Sequence, residues 1–304
     1  MTAPVVAVLL STYNGVAYLP EQLDSIAQQQ GVSVLLHARD DGSRDDSCAK
    51  LRARSDRWPS LASIAPSPNI GVTRSFMELL RTAPEADFYA FCDQDDCWFQ
   101  DKLAVAAGTL NGGKDPAMYC SNVMLADAAL RPLGAAPVNG DTRFEHLLFE
   151  NIAFGCTVVL NRAARDLVLQ REPGQGAVMH DWWCALVVSA FGRVHYDPVP
   201  RLLYRQHGGN AVGQTPGRAA QVVSEAGRFL RNARRFYRPH AQAAEFEARW
   251  GERLAHDRRR VLRRFIASKE SLAARAGYAM SGPVIRKRPL DALVARALIL
   301  AGWY

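Results

Sequence analysis

The sequence predicts an α/β protein whose main layer is a largely parallel β-sheet. Over roughly the first 100 residues, short apolar runs alternate with segments of helical apolar spacing. Polar clusters directly follow three of these runs, as expected where parallel strands end at one edge of a sheet. Beyond Arg218 the chain is Arg-rich and helical in pattern, which predicts a C-terminal helical extension.

Four strands and three helices are predicted in this first part of the chain. The strands are Val5–Leu10, Val32–Ala38, Leu61–Ile64 and Phe88–Cys92, and the helices are Leu19–Gln30, Asp45–Arg54 and Thr73–Arg81. Short apolar runs bounded by turn residues are typical of buried strands. The first helix has Leu19, Leu23 and Ile26 at helical spacing, and Pro20 suits its first turn.

The middle of the chain predicts a mixture of strands and helix. Strands are predicted at Met118–Leu125, Ala153–Leu160, Val194–Tyr196 and Arg201–Arg205, and a helix at Asp181–Phe191. The helical segments after Arg218 are expected to break at Pro239, Gly277 and Gly282-Pro283. The predicted division is an α/β domain over 1–217, with halves 1–100 and 101–217, and a basic helical region over 218–304.

Composition and cysteine usage are those of an ordinary globular protein. The chain is 48% hydrophobic and 22% charged, and no apolar run reaches the ~18 residues that a transmembrane helix needs. The N-terminus lacks the basic stretch and cleavage site of a signal peptide, so a cytoplasmic location is expected. None of the six cysteines forms a C-x-x-C pair, which favours reduced thiols over a zinc site or disulfides.

Positive charge is concentrated near the C-terminus. The formal net charge is +7, whereas residues 218–304 contain 19 Lys and Arg against 7 Asp and Glu and so carry +12. The first 217 residues therefore carry −5, the difference between +7 and +12. A mildly acidic body and a basic extension predict two regions with different partners.

The segment Asp93–Asp96 predicts a site for a divalent cation. In an extended backbone Asp93 and Asp95 point the same way, and Mg²⁺ or Mn²⁺ is usually held by one or two carboxylates together with substrate phosphates. Such a cation would neutralise charge that develops on a diphosphate leaving group. The alternative, an acidic surface turn, is disfavoured by the apolar residues on both sides of the segment.

Four motifs together resemble those of glycosyltransferase family 2. They are Ser11-Thr12-Tyr13-Asn14, Asp40-Asp41-Gly42-Ser43, Asn69-Ile70-Gly71-Val72-Thr73-Arg74 and Asp93-Gln94-Asp95-Asp96, within a resemblance that covers about residues 4 to 213. One motif alone is weak, but four in the same order and spacing are specific. The motifs look most similar to the bacterial rhamnosyltransferase-like branch, which builds surface polysaccharides. The resemblance implies an inverting enzyme with the GT-A fold, a Rossmann-like mixed sheet flanked by helices.

The resemblance implies a nucleotide-binding role for seven residues. They are Thr12, Tyr13, Asn14, Asp40, Asp41, Arg74 and Asp93. Asp41 would accept the pyrimidine N3–H, with Asp40 as the alternative carboxylate, and an acceptor at this place favours uracil or thymine over cytosine. The competing interpretation of Asp40–Ser43 is a turn with a helix cap, and that of Arg74 is a solvated helix residue.

The resemblance also implies a metal site formed by Asp93, Asp95 and His207, for Mg²⁺ or Mn²⁺. His207 belongs to the segment Tyr204–Asn210, which is similar to the family's Y-R-x-H-x-x-N element. It is assigned as a third metal ligand or a diphosphate contact, and Arg205 as a phosphate contact. The two glycines after His207 would let the loop close over the donor.

Asp181 is the residue that the resemblance implies as catalytic base. Inversion needs a base on the acceptor side, and the family commonly has an acidic residue at the start of this helix. Burial beside Trp182 and Trp183 would strengthen it as a base, whereas the alternative is a helix cap over core tryptophans. Further donor or acceptor contacts are assigned to Gln94, Asp96, Trp98, Gly155, Cys156, His180, Trp182 and Arg205.

The predicted activity is metal-dependent transfer of a sugar, with rhamnose as a candidate, from a dTDP- or UDP-sugar to a glycan or polyprenyl-linked acceptor. Two alternatives stay open: a nucleotide- or glycan-binding scaffold of the same fold without transferase activity, and a sugar nucleotidyltransferase. The latter would normally show a basic, Gly-rich phosphate loop near the N-terminus, and the segment Ser11–Gly15 has no Lys or Arg.

The basic C-terminal region has two interpretations of equal weight. One is an amphipathic surface that docks on anionic lipid at the inner face of the cell membrane, near a polyprenyl-linked acceptor. The other is a helical subdomain packed on the catalytic domain, with its arginines in solvent. Nucleic acid is not expected as a partner, because no recognised binding module accompanies the charge.

Overall fold

The structure, a computed structural model, describes residues 2–54, 67–174, 176–207, 238–281, 289–302 and 304. It forms two compact units. The first takes its described residues from Met1–Pro137, Ala153–Gln170 and Gly192–Gln214, and the second from Val138–Ile152, Arg171–Phe191 and Thr215–Tyr304. The features that lie outside the described residues are the predicted strand Leu61–Ile64, the loop Gly208–Asn210, residues 218–237 of the basic region and the break at Gly282-Pro283. The domain boundary at residue 217 stays a prediction.

Strands and helices alternate along the first unit, and helices make up most of the second. The strands are β1 Val5–Thr12, β2 Ser33–Asp40, β3 Phe88–Cys92, β4 Cys97–Trp98, β5 Ala117–Ser121, β6 Met124–Ala126, β7 Pro132–Ala135, β8 Val159–Asn161, β9 Arg193–Asp197 and β10 Leu202–Arg205. The helices are α1 Leu19–Ala27, α2 Ser47–Arg52, α3 Val72–Thr82, α4 Lys102–Leu110, α5 Phe144–Leu147, α6 Arg162–Gln170, α7 His180–Phe191, α8 Pro239–Trp250, α9 His256–Ala267, α10 Leu272–Ser281 and α11 Pro289–Ala301.

A six-stranded mixed sheet in the order β2-β1-β3-β8-β5-β9 forms the centre of the first unit. β1 pairs in parallel with β2 and β3, so that Thr12 lies opposite Asp40 and Leu10 lies opposite Cys92. β8 runs antiparallel between β3 and β5, and β9 is parallel to β5, so both sheet neighbours of β5 come later in the chain. The predicted α/β fold with a mixed sheet is confirmed.

The central strands are held in place by burial on both faces. All five residues of β3 are buried, and the residues from Val6 to Leu10 in β1 are 0% exposed. Helix α3 contributes Phe76, Leu79 and Leu80 to the same core. A strand covered on both faces has a continuous apolar sequence, which is the pattern that identified β1 and β3. The polar loops after them therefore start from a rigid base.

A smaller four-stranded sheet, in the order β4-β10-β6-β7, completes the first unit. β4 and β10 are antiparallel, with Leu202 opposite Trp98. β4 directly follows the segment Asp93–Asp96, and β10 ends at Arg205. Because these two strands pair, the residues after β10 come next to the acidic segment.

The predicted strand Met118–Leu125 is divided between the two sheets in the structure, as β5 and β6. Asn122 lies at the division. Its backbone N–H donates to the carbonyl of Asp197 at 2.8 Å, and its side-chain amide donates to the carbonyl of Ala136 at 3.0 Å. These bonds satisfy the backbone N–H of Asn122 and the carbonyl of Ala136 where the chain passes from the large sheet to the small one.

Two other predicted elements also need correction. The segment Ala153–Leu160 begins as a 3-10 turn over Gly155–Thr157, closed by a hydrogen bond from Thr157 Oγ1 to the carbonyl of Phe154, and only its end enters β8. Gly277, predicted as a helix break, lies within α10, because tertiary packing outweighs the low helix propensity of one glycine.

The second unit is mainly helical and packs around aromatic side chains. The residues of α7 from His180 to Ala190 are all buried, as in a helix that is apolar around its whole circumference. The ring centroid of Phe246 lies 5.9 Å from that of Trp183 and 5.7 Å from that of Phe144. Among the described helices, none is both long and apolar enough to cross a membrane.

Candidate active site

The loops after β1 and β2 are joined by a pair of hydrogen bonds. Asn14 has a φ of 50°, in the left-handed region that Asn tolerates better than most residues. Its backbone N–H donates to Ser43 Oγ at 2.8 Å, and its Oδ1 accepts the backbone N–H of Arg44 at 2.8 Å. Tyr13 next to it is 45% exposed, whereas Thr12 is buried. Asn14 therefore fixes the two loops and leaves the Tyr13 ring open to solvent.

Gln94 joins the acidic segment to the loop after β1. Its Oε1 accepts hydrogen bonds from Thr12 Oγ1 at 2.7 Å and from the backbone N–H of Tyr13 at 2.8 Å, and its Nε2 donates to the carbonyl of Tyr13 at 3.1 Å. Gly15 leaves room for this side chain, since a Cβ at Gly15 would lie 2.1 Å from Gln94 Oε1. Gln94 thus sets the spacing of the two loops, and its predicted substrate contact stays a prediction.

Asp40 has the geometry of a turn. Its Oδ1 accepts the backbone N–H groups of Gly42 at 3.1 Å and Ser43 at 2.8 Å. The Asp40 side chain is buried, and the Cys48 thiol lies close to its carboxylate. These bonds match the turn that the sequence left open as an alternative, and the role of Asp40 in nucleotide binding stays a prediction.

Asp41 is buried and held by backbone amides and an arginine. Its Oδ1 accepts the backbone N–H of Ile70 at 2.9 Å, and its Oδ2 accepts that of Gly71 at 3.0 Å. Arg39 forms an ion pair with Asp41 and also donates to Ser75 Oγ at 3.2 Å. Arg39 was not among the predicted site residues, and its place just before two aspartates was the only sign of it in the sequence. Asp41 fixes the loop before α3, and its contact with a base stays a prediction.

Asp95 and His207, two of the predicted metal ligands, are in contact. His207 Nε2 lies 2.9 Å from Asp95 Oδ2. The ring of Tyr18 stacks on that of His207, with centroids 4.4 Å apart and planes inclined by 24°. Tyr18 was not among the predicted site residues, because nothing in its local sequence indicates a partner so far along the chain. Stacking restricts the rotation of the imidazole and so orients its nitrogens.

Arg205 binds the backbone of the acidic segment. Its Nε donates to the carbonyl of Asp95 at 2.8 Å, its Nη1 donates to the carbonyl of Ala128 at 2.6 Å, and its backbone N–H donates to Asp96 Oδ1 at 3.2 Å. The guanidinium also lies 5.0 Å from the ring centroid of Tyr18. Arg205 is 4% exposed. It therefore has a structural role, and its predicted phosphate contact stays a prediction.

A cluster of buried ionisable groups adjoins the acidic segment. Burial and the nearby charges of Asp95 and Asp93 raise the pKa of Asp96, and burial also raises the pKa of the Cys156 thiol. Lys102 is fully buried, and its Nζ lies 3.5 Å from the ring centroid of Trp98 without a hydrogen-bond partner among the described residues. Burial lowers the pKa of Lys102 to about 8. The ammonium group of Lys102 therefore lies near Asp96 and Cys156, whose raised pKa values favour their protonated forms.

The residues present fit a hard divalent cation. Ligand atoms of Asp93, Asp96 and Cys156 lie within 4.8 Å of one another, but a thiol suits softer metals than Mg²⁺ or Mn²⁺. Asp95 and His207 offer a carboxylate and an imidazole in contact. Carboxylate oxygens suit Mg²⁺ and Mn²⁺, and Asp93, Asp95 and His207 stay the predicted metal ligands.

The other assigned residues of the first unit have varied surroundings. Arg74 is exposed on α3, in agreement with a solvated helix residue. Trp98 is 3% exposed and packs under Lys102. Gly155 and Cys156 lie in the 3-10 turn before β8. Their assigned contacts with nucleotide, donor or acceptor stay predictions.

The predicted base lies in the second unit, in the first turn of α7. Asp181 is 1% exposed, and its Oδ1 accepts the backbone N–H of Trp182 at 2.6 Å. The indole N–H of Trp182 donates to the carbonyl of Leu147 at 2.7 Å, which makes this tryptophan a core residue of the second unit. Burial lowers the pKa of His180 to about 3, so its imidazole is neutral near pH 7. The catalytic role of Asp181, and the contacts of His180 and Trp182, stay predictions.

Comparison with known proteins identifies the family. The model of Glycosyl transferase family 2 matches residues 7–154, which include most of β1 and the whole acidic segment. The dTDP-rhamnosyl transferase RfbG of Shigella flexneri is 30% identical over 220 residues, which are 67% of this chain and 73% of that protein. The chain belongs to glycosyltransferase family 2. This family 2 glycosyltransferase therefore has a rhamnosyl transferase among its relatives, as its motifs predicted.

Solved structures confirm the fold of this family 2 glycosyltransferase. The mannosyltransferase PcManGT from Pyrobaculum calidifontis, in complex with GDP-Man and Mn²⁺, has a TM-score of 0.56 at 19% identity, over 99% of this chain and 81% of that chain. S. aureus TarS 1–349, in complex with UDP-GlcNAc, has a TM-score of 0.54 at 13% identity, over 98% and 89% of the two chains. The predicted GT-A fold with C-terminal helices is confirmed.

Proposed function

We propose that this family 2 glycosyltransferase moves a sugar, with inversion, from a dTDP- or UDP-sugar to a glycan or lipid-linked acceptor, with Mg²⁺ or Mn²⁺ as cofactor. The contact at 2.9 Å between His207 and Asp95 carries the proposal. Asp95 directly follows Gln94 in the chain, and the side chain of Gln94 forms hydrogen bonds with Thr12 and Tyr13. One short segment therefore connects the predicted cation ligands with the predicted nucleotide loop.

The residues of the chain would divide the work of donor binding. Asp93, Asp95 and His207 would hold the cation, which supplies positive charge to a departing diphosphate. The exposed ring of Tyr13 offers a surface on which a base can stack. Asp41 has lone pairs beyond the bonds that it accepts, so its carboxylate can still receive the N3–H of uracil or thymine.

Asp181 is proposed as the base that removes the proton from the acceptor hydroxyl while the bond from sugar to diphosphate breaks. We expect Asp181→Asn to abolish transfer and to leave the binding of UDP or dTDP unchanged, because the amide keeps the shape of the side chain but cannot take the proton. Transfer assays and calorimetry on the same preparation would measure both. Activity within tenfold of the wild type would remove Asp181 from the mechanism.

The donor is proposed to carry rhamnose on dTDP, on the strength of the motifs and of the name of the relative from Shigella flexneri. A panel of sugar nucleotides, scored by the release of nucleoside diphosphate, tests this choice. Release from dTDP-rhamnose above that from UDP- and GDP-sugars would support it. Preference for a GDP-sugar would contradict the role of Asp41 as well as the choice of sugar.

Calorimetry with UDP or dTDP, with and without Mn²⁺, separates an enzyme from a scaffold. We expect binding that strengthens at least about tenfold with Mn²⁺, because a cation held by the carboxylates would neutralise charge on the diphosphate. His207→Ala should remove most of this gain. His37→Ala is a matched control, since His37 also lies in the first unit and bonds instead to Thr82. Absent or metal-independent nucleotide binding would favour the scaffold.

A further inference from the structure

Helices α10 and α11 expose large apolar side chains. The exposed fractions are 64% for Leu272, 82% for Met280, 65% for Leu293 and 41% for Leu300. They are four of the ten large apolar side chains that are exposed among the described residues, and they lie on two short helices. Single exposed apolar residues are normal on protein surfaces, whereas a concentration of this kind indicates a contact surface.

In α11 the exposed apolar residues lie on one face. Leu293, Arg296 and Leu300 are exposed and are separated by the three to four residues that bring side chains onto the same side of a helix. Ala295 and Ile299, on the other side, are 2% and 0% exposed. The helix is therefore apolar on both its inner and its outer face, with one arginine on the outer face.

Helix α10 has the same arrangement. Ala273, Gly277 and Met280 are exposed at helical spacing, and Tyr278 and Ala279 are buried. Helices α10 and α11 pack against each other. We define the outer apolar surface as Leu272, Met280, Leu293 and Leu300.

Positive charge borders the outer apolar surface. From His256 to Ser281 the sequence has seven Lys and Arg against two Asp and Glu. Arg264 Nη2 reaches the carbonyl of the exposed Gly277 at 3.4 Å, and Lys269 Nζ donates to the carbonyl of Tyr304 at 2.6 Å. Arg296 is exposed on the face that carries Leu293. Apolar side chains beside cations complement an anionic lipid surface.

We propose that the outer apolar surface docks on a bilayer that contains anionic lipid. Leu272, Met280, Leu293 and Leu300 would enter the boundary between headgroups and acyl chains. Arg296 can place its stem along the apolar region and its guanidinium at the phosphates. The proposal goes beyond the transferase activity and does not depend on it, because every residue that it uses belongs to the second unit.

A second copy of the chain is a poorer occupant of the same surface. In a two-fold dimer each residue of the surface meets the same surface of the partner. The cations around Leu293 and Gly277 would then face cations, which is unfavourable. A membrane with anionic headgroups instead supplies the missing negative charge.

Co-sedimentation of the full chain with vesicles tests the proposal. Vesicles of phosphatidylglycerol and phosphatidylethanolamine should bind the protein, and vesicles of phosphatidylcholine alone should bind it more weakly, with a difference that shrinks as salt is raised. The double variant Met280→Gln with Leu293→Gln should weaken binding to the anionic vesicles at least about tenfold. Arg296→Gln should weaken it about fivefold.

Matched controls come from the first unit. Leu133→Gln and Val199→Gln change side chains that are 44% and 49% exposed, and both variants should bind vesicles like the wild type. Circular dichroism checks that each variant keeps its helices. Binding of UDP or dTDP, measured on the same samples, should be unchanged, so a failure of lipid docking and a failure of the proposed nucleotide site can be told apart.

Three outcomes would overturn the proposal. The first is that the wild type fails to sediment with anionic vesicles. The second is that the double variant binds them as well as the wild type does. The third is a dimer in lipid-free solution, detected by light scattering, that the double variant dissociates, since this result would identify a second copy as the occupant.

Discussion

The two sides of the segment Asp93–Asp96 are held by different kinds of bond. On one side, Gln94 forms hydrogen bonds between neutral groups with Thr12 and Tyr13. On the other side, Asp95 Oδ2 contacts the imidazole of His207, and the charged guanidinium of Arg205 donates to the carbonyl of Asp95. Neutral bonds fix a distance, whereas bonds to charged groups are stronger and respond to pH and to cations. The comparison predicts that changes on the neutral side alter nucleotide binding and that changes on the charged side alter cation binding.

Removing one carboxylate from the charged side should have the largest effect. We expect Asp95→Asn to lower kcat by about 10³-fold, because the amide cannot supply the charge that holds a cation at the diphosphate. Steady-state assays over a range of Mn²⁺ concentrations would measure the loss. Asp166→Asn, at an exposed carboxylate of the same unit that pairs with Arg165, is the matched control and should stay near the wild type. A decrease of less than tenfold for Asp95→Asn would show that the cation is held elsewhere.

The buried Lys102 makes the free energy of unfolding depend on pH. Its pKa of about 8 in the folded protein lies below its ordinary value of 10.5, so the unfolded chain binds the proton more tightly than the folded chain. Below pH 8 the buried charge therefore has its whole destabilising effect on the fold. This effect decreases as the pH rises towards 10.5. Relative to Lys102→Met, the free energy of unfolding of the wild type should gain about 3 kcal/mol over that interval. Urea titrations at several pH values would measure the difference, and a difference that is constant with pH contradicts the prediction.

Filling the space beside Gln94 should affect the neutral side alone. In Gly15→Ala the new methyl would collide with Gln94 Oε1, and the flexible side chain would turn away from Thr12 and Tyr13. We expect weaker UDP or dTDP binding by about 1–2 kcal/mol, from the loss of ordered hydrogen bonds. Calorimetry without metal measures this loss. Gln94→Ala should reproduce it, and combining the two substitutions should cause no further loss. Gly108→Ala is the control, because a Cβ there meets no atom within 4 Å.

The stacking of Tyr18 on His207 should have the smallest effect. Tyr18→Leu keeps an apolar side chain but removes the ring, so the imidazole loses part of its orientation. We expect the affinity for Mn²⁺ in the presence of UDP to fall about fivefold, in line with the modest energy of one aromatic pair. Tyr18→Phe retains the ring and should retain the affinity. Equal affinities for Tyr18→Leu and the wild type would assign Tyr18 a packing role only.

Local sequence features were enough to predict the central strands and the acidic segment. β1 and β3 are continuous apolar runs that end in polar clusters, and burial on both faces produces this pattern directly. The bonds that build the site could not be predicted in the same way. Gln94 and Thr12 are 82 positions apart, and the choice of partner depends on strand register and on rotamers that the sequence does not display.

One corrected strand and one unpredicted burial come from tertiary contacts of single side chains. Asn122 ends β5 by bonding to a strand and a loop that come later, so an apolar run read as one strand becomes two. Lys102 gave no sign of its burial, because a lysine at the start of a helix is usually exposed. Both cases depend on tertiary partners, which local periodicity does not contain.

The order of the large sheet has a consequence for synthesis on the ribosome. β2 and β3 both pair with β1, so these three strands can assemble soon after Cys92 has emerged. The next strand of the large sheet to be synthesised is β5, but both strands that flank it, β8 and β9, come later in the chain. Its edges therefore wait for residues up to Asp197, a long-range requirement that slows folding and leaves a nascent strand open to wrong partners.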